Sequence, residues 1–104
     1  MHVILVEPAF PANQRQFARG LREAGAIVTG IGERPKAWLD PELCEWLDHY
    51  EQVGSVCDVN AMIRAVKRVQ SMGWVHRIEA TVEAHILPTA YVREATGIPG
   101  QTVK

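Results

Sequence analysis

The sequence predicts an α/β fold, a four-stranded parallel sheet with helices on both faces. Three observations point to it. Val3 to Val6 form an unbroken apolar run rich in β-branched residues and bounded by Pro8, the pattern of a strand buried on both faces. Strand-like and helix-like segments then alternate along the chain, as right-handed crossovers between parallel strands require. The helix-like segments also carry start and stop signals where that alternation needs them.

Each element follows in order. After the opening strand, Phe17, Leu21 and Ala24 recur at helical spacing beside Arg15, Arg19, Arg22 and Glu23, and Gly25 supplies a left-handed stop. Ala26 to Gly32 read as a second strand. Asp40-Pro41-Glu42 combines a capping acid, proline at the first helical position and an acid in the first turn. It opens a short covering helix with Leu39, Leu43, Trp46, Leu47 and Tyr50 on one face. Tyr50 to Val56 form a polar, glycine-containing third strand suited to an edge. Asp58 caps the next helix, whose buried stripe is Met62, Ile63, Val66 and Val69, with Lys67 and Arg68 facing water and Gly73 as its end. Trp74 to Thr81 give a fourth strand with Val75 and Ile78 inward. The last helix runs from about Val82 to Thr96 and stops at Gly97, with a kink or delayed start expected at Pro88.

Composition narrows the function classes. The chain has 104 residues, 47% apolar and 22% charged, which suits one domain with one modest core. A net charge of −1 without a basic stripe gives no footprint for nucleic acid or a membrane surface. No apolar run approaches the length of a bilayer span, and the N-terminus lacks the basic and small-residue marks of a signal peptide. Cys44 and Cys57 read as free thiols, and a cytoplasmic setting is the expectation.

In open parallel sheets ligands gather beyond the carboxyl ends of the strands. That rule nominates three loops: Glu7 to Gln14, Gly30 to Lys36, and Glu79 to Ala84. The first lacks the glycines that a dinucleotide pyrophosphate needs, carrying Pro8, Phe10 and Pro11 instead. No phosphate-cradling loop is present either. Gly30 and Gly32 read as turn chemistry rather than phosphate binding. Glu79 and Glu83 lie near the end of the fourth strand. A carboxylate there could hold a substrate cation or hydroxyl, or Glu83 could simply complement a helix N-terminus. Arg34 reads equally as an anion ligand or a solvated side chain. His2, His49, His76 and His85 lack zinc-type spacing with the cysteines. Ser55 and Ser71 have no nucleophile-elbow context. Trp38, Trp46 and Trp74 read as core or docking anchors.

The segment HRIEATVEAHILPTAYVREATGIPG, His76 to Gly100, resembles the end of the preATP-grasp domain that opens ATP-grasp ligases. That group includes biotin carboxylase-like and carbamoyl-phosphate-synthase-like enzymes. The shared pattern is a strand, a glutamate, a helix ending in an Arg-Glu pair, and a Gly-Ile-Pro-Gly loop. Glu83, Arg93-Glu94 and Gly97 to Gly100 supply it in order, and VTGIG of the second strand fits as well. The resemblance implies a Rossmann-like, three-layer α/β/α domain over 1–97, with strand order 3-2-1-4. Residues 98–104 would begin a linker into an ATP-grasp domain, and Lys104 comes too early to be the first ATP-holding lysine.

On this resemblance the chain is the N-terminal, substrate-side domain of an ATP-dependent ligase and is inactive alone. It carries no catalytic residue, metal ligand or cofactor of its own. ATP and Mg2+ would be bound beyond residue 104. The implied reaction activates a carboxylate as an acyl phosphate, which an amine or similar nucleophile attacks. The implied substrate wall is led by Glu83, followed by Glu7, Pro8, Ala9 and Phe10, with Arg34 and Glu79 nearby. Implied partners are the C-terminal ATP-grasp domains, a small-molecule substrate and a second copy in a homo-oligomer. The competing expectation is a self-contained flavodoxin-like module that binds a small ligand or another protein.

Overall fold

The apolar opening run is the central strand of the sheet. In the computed structural model, which describes residues 1–10 and 12–100, β1 (His2–Val6) pairs in parallel with β2 (Ile27–Gly32) and with β4 (Arg77–Glu79). β2 in turn pairs in parallel with the edge strand β3 (His49–Gln52), giving the order β3-β2-β1-β4. Ile4 lies opposite both Thr29 and Ile78. Pro11 and residues 101–104, the last four residues of the expected 98–104 linker with Lys104 among them, lie outside the described residues.

Side chains alternate across a pleated strand, so β1 feeds two cores. Ile4 and Val6 join Ile31 and Ile78 against α3 (Val59–Gln70) and α4 (Glu83–Thr96), where Met62, Val66, Val69 and Val92 are buried. Leu5 joins Val28 and Tyr50 against α1 (Arg15–Glu23) and α2 (Pro41–Trp46), through Ala18 and Leu43. The result is the expected three-layer arrangement. Each fully buried aliphatic side chain contributes about 1.5–3 kcal/mol of transfer free energy. Ile98 is buried in the first core, so packing extends past the last helix.

The helix ends follow their sequence signals. Gly25, at φ +87°, closes α1 with Ala26 N–H donating to Leu21 C=O and Gly25 N–H to Arg22 C=O, a Schellman pair. Asp40 accepts from Glu42 N–H and Asp58 from Ala61 N–H. Gly97, at φ +73°, closes α4. α4 does not wait for Pro88 but begins at Glu83. Proline offers no N–H to the carbonyl four residues earlier, and that carbonyl, Ala84 C=O, lies 3.7 Å from the Cys57 thiol as acceptor. Cys44 and Cys57 are both free thiols.

Several expectations are corrected. Of the expected stripe Phe17 is 52% exposed and Ala24 is exposed, while Leu21 packs on the core as expected, joined by Ala18 and by Gln14 just before α1. The stripe was hidden because its most buried positions are polar or small. α2 ends at Trp46, so Tyr50 sits on β3 rather than on the helix. β3 starts one residue early and stops at Gln52, while β4 is only three residues long. α3 ends at Gln70 with Ser71 as its cap, and Gly73 lies in the loop beyond. Trp38 and Trp74 are each 74% exposed and belong to no core. Among the described residues no helix is long and apolar enough to cross a membrane.

Candidate functional site

The carboxyl end of β1 is built around Glu7. Its backbone turns into the left-handed region at φ +52°, where a side chain costs about 1–2 kcal/mol. It is held there by its N–H donating to Ile31 C=O at 2.6 Å. The side chain is only 4% exposed. Oε1 accepts from Glu33 N–H at 3.1 Å, while buried Oε2 has no hydrogen-bond partner among the described residues. Strain of this kind concentrates at functional sites, and a buried carboxylate oxygen without a donor is costly.

Gly32 makes the room. A Cβ at position 32 would lie 2.7 Å from Glu7 Oε2 and 2.8 Å from the Tyr50 hydroxyl. Gly30 is similar, since a Cβ there would lie 2.8 Å from Pro8 Cγ. Both glycines stand inside β2, so their role is close packing; the turn reading does not hold. The Tyr50 hydroxyl donates to Arg34 C=O at 2.7 Å. Burial, reinforced by the nearby Glu7 charge, pushes the Tyr50 phenol up to about 12.

Two further ties fix the rim. Glu33 Oε2 accepts from Val56 N–H at 3.0 Å, joining the loops after β2 and β3. The buried Gln14 amide donates to the Thr81 hydroxyl, joining the loops after β1 and β4. Gln14, Gly32, Glu33 and Thr81 fall inside the three nominated loops but were not singled out as parts of this site, and Tyr50 on β3 lay outside them. Gly30 and Gly32 offered a signal, and it was assigned to a turn.

The nominated residues are divided among different surroundings. Glu7 and Pro8 are buried at the centre of the rim. Ala9 and Arg34 line a hollow of about 240 Å³ with Arg15, Asp40 and Leu43, in which Arg15 and Asp40 form an ion pair at 2.9 Å. Glu79 lines a hollow of about 290 Å³ with Ala80, Ile86, Thr89 and Arg93, where buried Arg93 donates to Ile78 C=O at 2.6 Å. Phe10 is 57% exposed. Glu83 is exposed in the first turn of α4, so the buried carboxylate of the rim is Glu7, not Glu83.

The rim suits donors more than nucleotide phosphates. Glu7 Oε2 is a buried acceptor with no donor among the described residues, so an N–H or O–H would have to enter the rim to reach it. Pro8 replaces the glycine that close approach of a pyrophosphate needs. Among the described residues no group of three or more His, Cys, Asp or Glu side chains could hold a metal ion.

No protein-family model matches the chain, and no curated protein sequence matches it. Its fold is similar to a solved structure of phosphoribosylglycinamide synthetase from Anaerococcus prevotii, with a TM-score of 0.76 at 9% sequence identity. The likeness covers 98% of this chain and 24% of that one, so the chain spans about a quarter of that synthetase's length.

Proposed function

We propose that the chain acts as the N-terminal, substrate-side domain of an ATP-grasp ligase of the carboxylate–amine, carboxylate–thiol or carboxylase type. The observation that carries this reading is Glu7. A buried, strained carboxylate with one undonated oxygen stands at the carboxyl edge of a parallel sheet, where substrates of such folds bind. A substrate ammonium, amide or hydroxyl supplies the absent donor. Support also comes from the Glu83, Arg93-Glu94 and Gly97 to Gly100 pattern, and from a fold neighbour that is itself a synthetase. Ala9 and Arg34, which line one hollow of the carboxyl end, Glu79, which lines another, and exposed Glu83 and Phe10 are the outer contacts in this reading. ATP and Mg2+ belong to ATP-grasp domains outside these 104 residues, in a cytoplasmic enzyme.

Exposed apolar residues favour this reading over a self-contained module. Phe10, Trp38, Ile86, Leu87 and Tyr91 are all at least 47% exposed, surface that further domains or a second copy would cover. Calorimetry of the 104-residue chain with Mg2+ and ATP is the test, and no micromolar binding is expected. Micromolar ATP affinity in this chain would contradict the assignment. So would a monodisperse chain that shows no self-association by light scattering at any concentration.

A further inference from the structure

We propose a second binding site at the amino end of the sheet, for a small flat aromatic molecule carrying a carboxylate or carbonyl acceptor. This site stands apart from the carboxyl rim and does not depend on the ligase reading. Its hollow of about 410 Å³ lies where β1, β2 and β3 begin and where the chain approaches β4. That volume falls within the roughly 300–1,000 Å³ typical of small-ligand pockets.

The walls are apolar and wet. Met1, Ile27, Met72 and Trp74 line the hollow while 66%, 53%, 60% and 74% exposed. Four large apolar side chains left in water around one concavity favour an apolar occupant. Trp74 offers the largest aromatic face for stacking.

The floor has fixed polarity. His2 Nδ1 lies 3.1 Å from Trp74 C=O, a pure acceptor, so Nδ1 carries the proton. His2 Nε2 then accepts from Thr29 Oγ1 at 2.7 Å. Burial holds this imidazole below its ordinary range, opposed by the Trp74 hydrogen bond. His76 Nδ1 accepts from His2 N–H at 2.9 Å, which places the His76 proton on Nε2. His76 therefore has one donor left, and a ligand must bring an acceptor to use it. The carboxylate of Asp48 does not repel an anion strongly, because Arg22 Nη1 lies 2.6 Å from it and Val28 N–H donates to it at 2.8 Å. His49 commits Nε2 to Glu51 at 2.8 Å.

The test is proton–nitrogen NMR of the 104-residue chain titrated separately with benzoate, benzamide and acetate. Saturable shifts at His76, Met72 and the Trp74 indole are expected with the two aromatic probes and not with acetate. Tighter binding of benzoate than benzamide assigns a carboxylate, and the reverse assigns a carbonyl. Trp74 is largely exposed, so Trp74→Ala should fold and should weaken binding about tenfold, a 1.4 kcal/mol change. Absence of saturable shifts, equal shifts with acetate, shifts confined to the Glu7 rim, or wild-type affinity in Trp74→Ala would each overturn the proposal.

Discussion

The two ends of the sheet are built from opposite materials. At the carboxyl end a strained Glu7 buries its carboxylate among Gly32, Glu33 and Tyr50. At the amino end both ring nitrogens of His2 and Nδ1 of His76 have partners, but the apolar ring of Met1, Ile27, Met72 and Trp74 is left in water. One end lacks a polar donor and the other lacks an apolar cover. A parallel sheet makes this asymmetry natural, because all strands point the same way and their two ends meet different loops.

The largest expected effect that breaks the contrast is at Gly32. Gly32→Ala places a methyl against Glu7 Oε2 and the Tyr50 hydroxyl. Overpacking of this kind costs about 1–3 kcal/mol, to be read from the urea unfolding midpoint. An unchanged midpoint would mean the rim is loosely packed. Next comes the backbone at position 7. Glu7→Gly and Glu7→Ala both lose the bond to Glu33 N–H, but only glycine relieves φ +52°. The glycine variant should be the more stable by about 1–2 kcal/mol. Equal stabilities would show that position 7 is not held in the left-handed region.

The smallest effects are in pH, and they have opposite signs at the two ends. The raised Tyr50 phenol favours its neutral form in the folded state, so its contribution is complete below pH 10 and is lost as pH rises toward 12. Ultraviolet titration should show a phase near 12 that disappears in Tyr50→Phe. The lowered His2 imidazole also favours its neutral form. Its contribution is present above the ordinary 6.5 and is lost as pH falls through and below that value. Unfolding midpoints measured on either side of pH 6.5 should converge in His2→Gln. At the Glu51 carboxyl burial opposes the bonds to Arg68 and His49, which win and lower it, so its contribution is present above the ordinary 4.5 and is lost as pH falls below that value.

The fold was legible because its signals are local. The Val3 to Val6 run, the Asp40 and Asp58 caps and the Gly25 and Gly97 stops each act within a few residues. Strand lengths were less legible, since β3 and β4 end where sheet pairing ends and not where apolar character does. The α1 stripe was missed because Gln14 and Ala18 do not look like core residues. Their burial is decided by Thr81 and by the closeness of the sheet. The rim was half legible. Topology placed Glu7 at a strand's carboxyl end, but its union with Glu33, Tyr50 and Gly32 joins residues up to 43 positions apart. Glu83 drew weight from a motif, and motif position alone did not reveal its exposure.

The central claim is that the Glu7 carboxylate holds the substrate while ATP is bound elsewhere. The direct measurement is steady-state kinetics of ADP release by the protein encoded by the whole reading frame, with and without Glu7→Gln. The account expects the KM for the non-nucleotide substrate to rise about tenfold, about 1.4 kcal/mol of lost binding, with the KM for ATP unchanged. An unchanged substrate KM, or a rise confined to ATP, would contradict it.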